Sequence, residues 1–173
     1  QQFAPLRGLR VALVTHPAAI DANFRHAIEI LATANEVRLA AIFGPEHGLL
    51  GQAQDLIAVN SDAANRTGEI PVHSLYGENF ESLRPAPEHL QEIDALVIDL
   101  QDIGSRYYTF QATMLYCMQA ALPRGLRVFV LDRPNPLGGT IIEGPALRKG
   151  FESFVGAHDL ATRHGLTIGE LAM

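Results

Sequence analysis

Four short apolar runs that do not alternate in polarity constrain this chain more than any other feature: Val11 to Val14, Val37 to Phe43, Ala95 to Leu100 and Val128 to Leu131. A strand with one face in water alternates apolar and polar residues, whereas a strand buried on both faces does not. Each run stops at a polar or turn residue, and Ile70 to Leu75 is a weaker fifth candidate. Between the first two runs, Phe24, Ala27, Ile28 and Leu31 fall at helical spacing, with Asn23 placed to cap them. Pro87 opens a short helix through Ile93. Met114, Met118, Ala121 and Leu122 form a third helical face, which Pro123 and Gly125 end.

Strands alternating with helices predict right-handed βαβ units. The expected fold class is α/β: a Rossmann-like parallel sheet in the order 3-2-1-4-5, with helices on both faces, followed by a loop-rich segment. Residues 1–139 would form the Rossmann-like domain. Arg133-Pro134-Asn135-Pro136-Leu137-Gly138-Gly139 is too rich in proline and glycine for regular structure, and residues 140–173 read as a loop-rich segment leading into a second domain. Thr167 to Met173 reads as a helix just starting, so the expectation is a piece of a longer protein.

Charge and composition narrow the partners. The formal net charge of −6 leaves no basic surplus to neutralise phosphates, which argues against nucleic acid. Lys149 is the one lysine among thirteen basic residues, and arginine suits planar recognition of carboxylates. Cys117 stands alone in an apolar helical stretch and reads as core. No run reaches the ~18 apolar residues of a membrane span. Nothing in the sequence sets the oligomeric state.

The chemistry is expected where the second run breaks, at Gly44-Pro45-Glu46-His47-Gly48. A carboxylate and an imidazole on a tight loop after a buried strand suit proton transfer; the alternative is two solvated residues between turn formers. In a parallel sheet the strand C-termini share one edge. That edge would gather His16, Glu46, His47, Asp99, Gln101, Asp102, Asp132 and Arg133. Gln101-Asp102-Ile103-Gly104-Ser105-Arg106-Tyr107-Tyr108-Thr109 is a second dense stretch, with amide, carboxylate, guanidinium and phenols suited to a polyhydroxylated ligand. There, Asp102 can equally cap a turn, and one of the two tyrosines is expected in the core. No cofactor is expected. The turn after the first run, Thr15-His16-Pro17-Ala18-Ala19-Ile20, lacks a Gly-x-Gly-x-x-Gly pattern, and neither a phosphate loop nor Gly-x-Ser-x-Gly is present. A metal built from His16, Glu46, His47 and the aspartates has no ligand spacing behind it.

Three of these motifs, Gly44 to Gly48, Gln101 to Thr109 and Leu131 to Gly139, occur with Glu143-Gly144-Pro145, Ser153-Phe154-Val155-Gly156 and Arg163-His164-Gly165-Leu166-Thr167. In that order they resemble the NamZ-type exo-β-N-acetylmuramidases, glycoside hydrolases long known only as a domain of unknown function. The resemblance runs from Gly8 onward. It implies a Rossmann-like first domain, a second smaller domain, and an active site in the cleft between them. It also implies removal of N-acetylmuramic acid from non-reducing ends of peptidoglycan fragments, a saccharide substrate, and a secreted or periplasmic setting. Where members of the family carry Gln-Ala-Gly-Glu, this chain reads Gln52-Ala53-Gln54-Asp55, so a role resting on a second glutamate there would fall to Asp55.

By that resemblance Glu46 is the catalytic acid, protonating the departing oxygen. Asp102 is the candidate second carboxylate; alternatively the substrate's own N-acetyl oxygen attacks and Asp102 steadies the amide. His16, His47, Gln101, Arg106, Tyr107, Asp132, Arg133 and Asn135 are the expected substrate-binding residues, with Arg106 or Arg133 reading the lactyl carboxylate of muramic acid. Two other readings compete: a sugar-binding module that does not cut, and a metal-dependent hydrolase that a chelator would silence.

Overall fold

The computed structural model describes residues 3–45, 70–77 and 79–173. Five strands form one parallel sheet: β1 (Arg10–Thr15), β2 (Arg38–Gly44), β3 (Val72–Ser74), β4 (Ala95–Asp99) and β5 (Arg127–Val130). Their spatial order is β3-β2-β1-β4-β5, as the alternation of apolar runs and helical segments predicts. β1 lies at the centre, with Val14 in register with Phe43 of β2 and with Ile98 of β4. The two faces of β1 explain its unbroken apolar run. Ala12 and Val14 face one core with Phe43, Leu96 and Ile98, under α2 (Phe110–Ala121). Val11 and Leu13 face the other with Ile42 and Val97, under α1 (Ala27–Ala32). Every residue of β4 is buried, so this strand too has no side left for a polar residue until it ends.

The start of α1 differs from the spacing argument. Asp21 Oδ1 accepts the N–H groups of Asn23 and Arg25, a local turn that outcompetes helix at this point. Phe24 is thereby thrown to a φ of 61° and is 84% exposed, off the helix altogether. The cap is His26 rather than Asn23: its Nδ1 accepts the Ile28 N–H at 3.2 Å while Nε2 donates to the His16 carbonyl at 2.9 Å. α2 does end as read, through a tight turn over Leu122–Arg124 closed by Gly125 at φ 62°. Pro87–Leu90 is a single 3-10 turn rather than a longer helix. Cys117 is fully buried under the sheet, and burial pushes its thiol well up from the ordinary range.

After β5 the chain crosses the C-terminal strand edge as loops, then re-enters the core. Ile168 of α3 (Ile168–Leu171) is buried against the α2 side. Thr167 and Glu170 cap α3 reciprocally. At the opposite end of the sheet, Arg10 grips Asp94 through its backbone N–H, Nε and Nη2, which holds that carboxyl well below its usual range. No helix among the described residues is long and apolar enough to cross a membrane.

Candidate functional site

The C-terminal strand edge is polar because five strands deliver their chains there at once. β1 ends at Thr15 and passes to His16, which is only 6% exposed. The Gln101 N–H donates to His16 Nε2 at 3.0 Å, so the neutral ring carries its proton on Nδ1. Burial pulls the His16 pKa down to about 4; the Asp99 carboxylate opposes that and Arg133 and His26 add to it. His16 is thus a neutral ring, packed edge-on against Phe110 at 5.0 Å, that ties the end of β1 to the loop after β4.

Beside it, Arg133 takes Asp99 with both Nε and Nη2, at 2.6 and 3.1 Å. Asp99 is 3% exposed, so this is a buried carboxylate held in a two-pronged grip. Gln101 extends the same layer, donating from Nε2 to the Pro134 carbonyl at 3.0 Å and to the Asp102 carbonyl at 2.7 Å. Asn135 donates to the Leu166 carbonyl and accepts the Leu137 N–H. Its side chain also lies against Gly104, whose φ of 82° and lack of a Cβ are both needed there: a Cβ would fall 2.3 Å from Asn135 Oδ1.

Asp102 does cap a turn: Oδ2 accepts the Gly104 N–H at 2.7 Å. The same oxygen lies 3.2 Å from Nε2 of His164, a residue to which the sequence assigned no role. Both side chains are almost wholly buried. Burial raises the Asp102 pKa, against the lowering pull of the Gly104 N–H and of His164. The one available signal for His164 was its place in Arg163-His164-Gly165, directly ahead of the cap of α3.

Other expected residues sit apart from this cluster. Asp132 turns to α3, where Oδ1 accepts the Gly169 N–H at 2.8 Å and Oδ2 accepts from the Thr167 hydroxyl at 3.1 Å. Arg106 donates through Nη1 to the Pro145 and Leu160 carbonyls. Tyr107 is 62% exposed, while Tyr108 packs on the α2-side core and is the structural one of the pair. Glu46 and His47 lie outside the described residues, as does Asp55. The chain before them is described as far as Pro45, just past the C-terminal end of β2, where Gly44 pairs with Ser74 of β3. Among the described residues no three His, Cys, Asp or Glu side chains converge as metal ligands would.

A cavity of about 350 Å³ opens on the α1 side, lined by Leu6, Leu31, Val97 and Phe129, with Asp99 and Arg133 at its polar end. Its walls suit an apolar occupant better than a sugar.

A family profile described as "Exo-beta-N-acetylmuramidase NamZ, N-terminal" matches residues 11–173. The chain belongs to this family. It is 46% identical over 167 residues to the peptidoglycan beta-N-acetylmuramidase NamZ of Bacillus subtilis (strain 168), covering 96% of this chain and 39% of that protein. Two crystal structures of DUF1343 family proteins from Bacteroides fragilis share the fold. One has a TM-score of 0.87 at 43% identity, covering 99% of this chain and 42% of that one. The other has a TM-score of 0.79 at 32% identity, covering 98% and 42%. This NamZ-family chain therefore spans about two fifths of the length of these relatives.

Proposed function

We propose that this chain carries the catalytic residues of an exo-acting glycoside hydrolase that releases N-acetylmuramic acid from non-reducing ends of peptidoglycan fragments. The observation that carries the reading is the 46% identity, across nearly the whole chain, to a peptidoglycan β-N-acetylmuramidase. Geometry supports it through the layer of amide, carboxylate and guanidinium groups at the strand edge and the exposed ring of Tyr107 on the loop that follows β4. Such an edge offers hydrogen bonds to hydroxyls and an aromatic face to a pyranose.

In this reading Glu46, the next residue but one after β2, is the general acid that protonates the departing glycosidic oxygen. Asp102 is the second carboxylate. Arg106 reads the lactyl carboxylate of muramic acid in preference to Arg133. Arg133 already spends its Nε and Nη2 on a carboxylate, so its charge is cancelled. Arg106 is held by two neutral carbonyls, which fix the guanidinium while leaving its charge uncompensated among the described residues. A peptidoglycan substrate would place the working enzyme outside the cytoplasm.

The test is a pair of disaccharides given to the full-length protein, one with N-acetylmuramic acid at the non-reducing end and one with N-acetylglucosamine there. Release of free N-acetylmuramic acid from the first, and no cleavage of the second, is the expected result. Tight binding of the first without cleavage would replace the hydrolase with a muropeptide-binding module.

A further inference from the structure

The contact between Asp102 and His164 is the least satisfied part of the buried strand edge. Around it the backbone is well paired. The Arg106 N–H donates to the Thr162 carbonyl at 2.8 Å, the His164 N–H donates to the Gly104 carbonyl at 3.3 Å, and Ser105 bridges Arg163. Residues 104–106 and 162–164 thus run antiparallel and hold the two side chains face to face.

The tautomer of His164 follows from its other nitrogen. The Leu166 N–H donates to Nδ1 at 3.2 Å, so the proton of the neutral ring sits on Nε2, the atom nearest Asp102. At 3.2 Å the positive end of the Nε2–H dipole faces Asp102 Oδ2 without the geometry of a full hydrogen bond, so Nε2 is left without a full partner. Asp102 is more exposed to the same deficit. Oδ2 takes the Gly104 N–H, whereas Oδ1 is buried and makes no hydrogen bond of good geometry among the described residues, the Ile103 N–H adding only a minor pull on the carboxylate. A buried carboxylate oxygen without a donor is costly, and adjoining orphan atoms are seldom kept unless something else completes them.

We propose that His164 is the positioning residue of this site: it anchors the Asp102 carboxylate by one oxygen, leaving Oδ1 to accept the N–H of the sugar's 2-acetamido group. The inference rests on the muramidase reading and names a partner for its second carboxylate. It fits the chemistry of an N-acetylated sugar, which presents an amide N–H next to the reacting carbon. Such a contact made away from water is worth far more than one in solvent. His164 touches no substrate and acts through Asp102.

The experiment compares the full-length protein with its His164→Ala and His164→Gln variants, measuring kcat and KM for a muramyl-glucosamine disaccharide across pH. The side-chain amide of glutamine reaches the Nε2 position and keeps a donor there. His164→Ala should lower kcat by about 30-fold or more with KM within about threefold, the pattern of an interaction made late in the reaction. Its acid limb should also move to higher pH, because the imidazole no longer helps hold Asp102 charged. His164→Gln should recover most of the loss. An alanine variant with the parent's kcat, or one that loses activity only in proportion to its unfolded fraction with the acid limb unmoved, overturns the proposal alone. A folded parent that releases no muramic acid overturns the muramidase reading and this role with it. Should His164→Ala fail to fold, His164→Gln and the ¹⁵N shifts of the His164 ring in the parent decide the matter. A protonated Nε2 and an unprotonated Nδ1 are expected, and the reverse tautomer would break the argument.

Discussion

The His16 ring accepts the Gln101 backbone N–H at 3.0 Å, and only the neutral imidazole can do so. Its folded pKa lies at about 4, below the ordinary histidine value of 6.5, because burial penalises the cation. A base depressed in this way adds stability above its unfolded pKa and loses it as pH falls. The protein should therefore lose thermal stability between about pH 6.5 and 4. His16→Gln should flatten that part of the curve, which calorimetry of both forms across pH would reveal. An unchanged slope in the variant would assign the acid sensitivity to another group.

Asp99 and Arg133 stand or fall as a pair. Removing the guanidinium by Arg133→Ala strands a carboxylate that is 3% exposed, and should cost about 3 kcal/mol, the low end for breaking a buried pair because Arg133 is partly open to solvent. The double variant Asp99→Asn with Arg133→Met should recover much of that loss. Urea unfolding of the single variants Asp99→Asn and Arg133→Met and of their double variant measures the coupling, and additive losses would contradict the pairing.

Asp102 pays a cost in the fold that its neighbours do not. Its pKa is raised mainly by burial, so the charged form opposes folding, and that penalty disappears as pH drops through the folded value. Asp102→Asn should therefore be at least as stable as the parent at pH 7, with the gap closing toward acid, while muramidase activity is lost. A fall in melting temperature at pH 7 would mean that the charge is structural.

The sheet was legible in the sequence because burial on both faces writes itself as unbroken apolar runs, and even the short β3 left a trace at Ile70 to Leu75. The start of α1 was not, because a side chain decided it: Asp21 captures the N–H groups of Asn23 and Arg25 and turns Phe24 out. At the site, the strand-end rule located His16, Asp99, Gln101 and Asp102 without naming their partners. His164 comes to Asp102 through a return of the chain across the whole strand edge, and no local pattern encodes that meeting. Asp132 shows the converse. It sits at a strand end as a ligand would, yet its two oxygens go to the Gly169 N–H and the Thr167 hydroxyl that start α3. A Cβ at Gly169 would lie 2.6 Å from Asp132 Cγ, so the helix and the carboxylate are fitted to each other.

Arg106→Lys offers a test of specificity. Lysine keeps the charge but loses the planar fork, and it cannot reach the Pro145 and Leu160 carbonyls while also facing a ligand. Turnover of muramic acid substrates should fall by about tenfold or more relative to any residual action on glucosamine analogues. Equal losses on both, measured as kcat/KM, would remove Arg106 as the reader of the lactyl group.

Glu46 as the general acid is tested by release of free N-acetylmuramic acid by the full-length protein and by its Glu46→Gln variant. The two should be matched for folding by circular dichroism. Glutamine keeps the shape and removes the proton, so kcat should fall by about 100-fold or more with little change in binding, the size expected for a missing general acid. Release at the parent's rate by the folded variant would remove Glu46 as the acid and leave that role to Asp102 or Asp132.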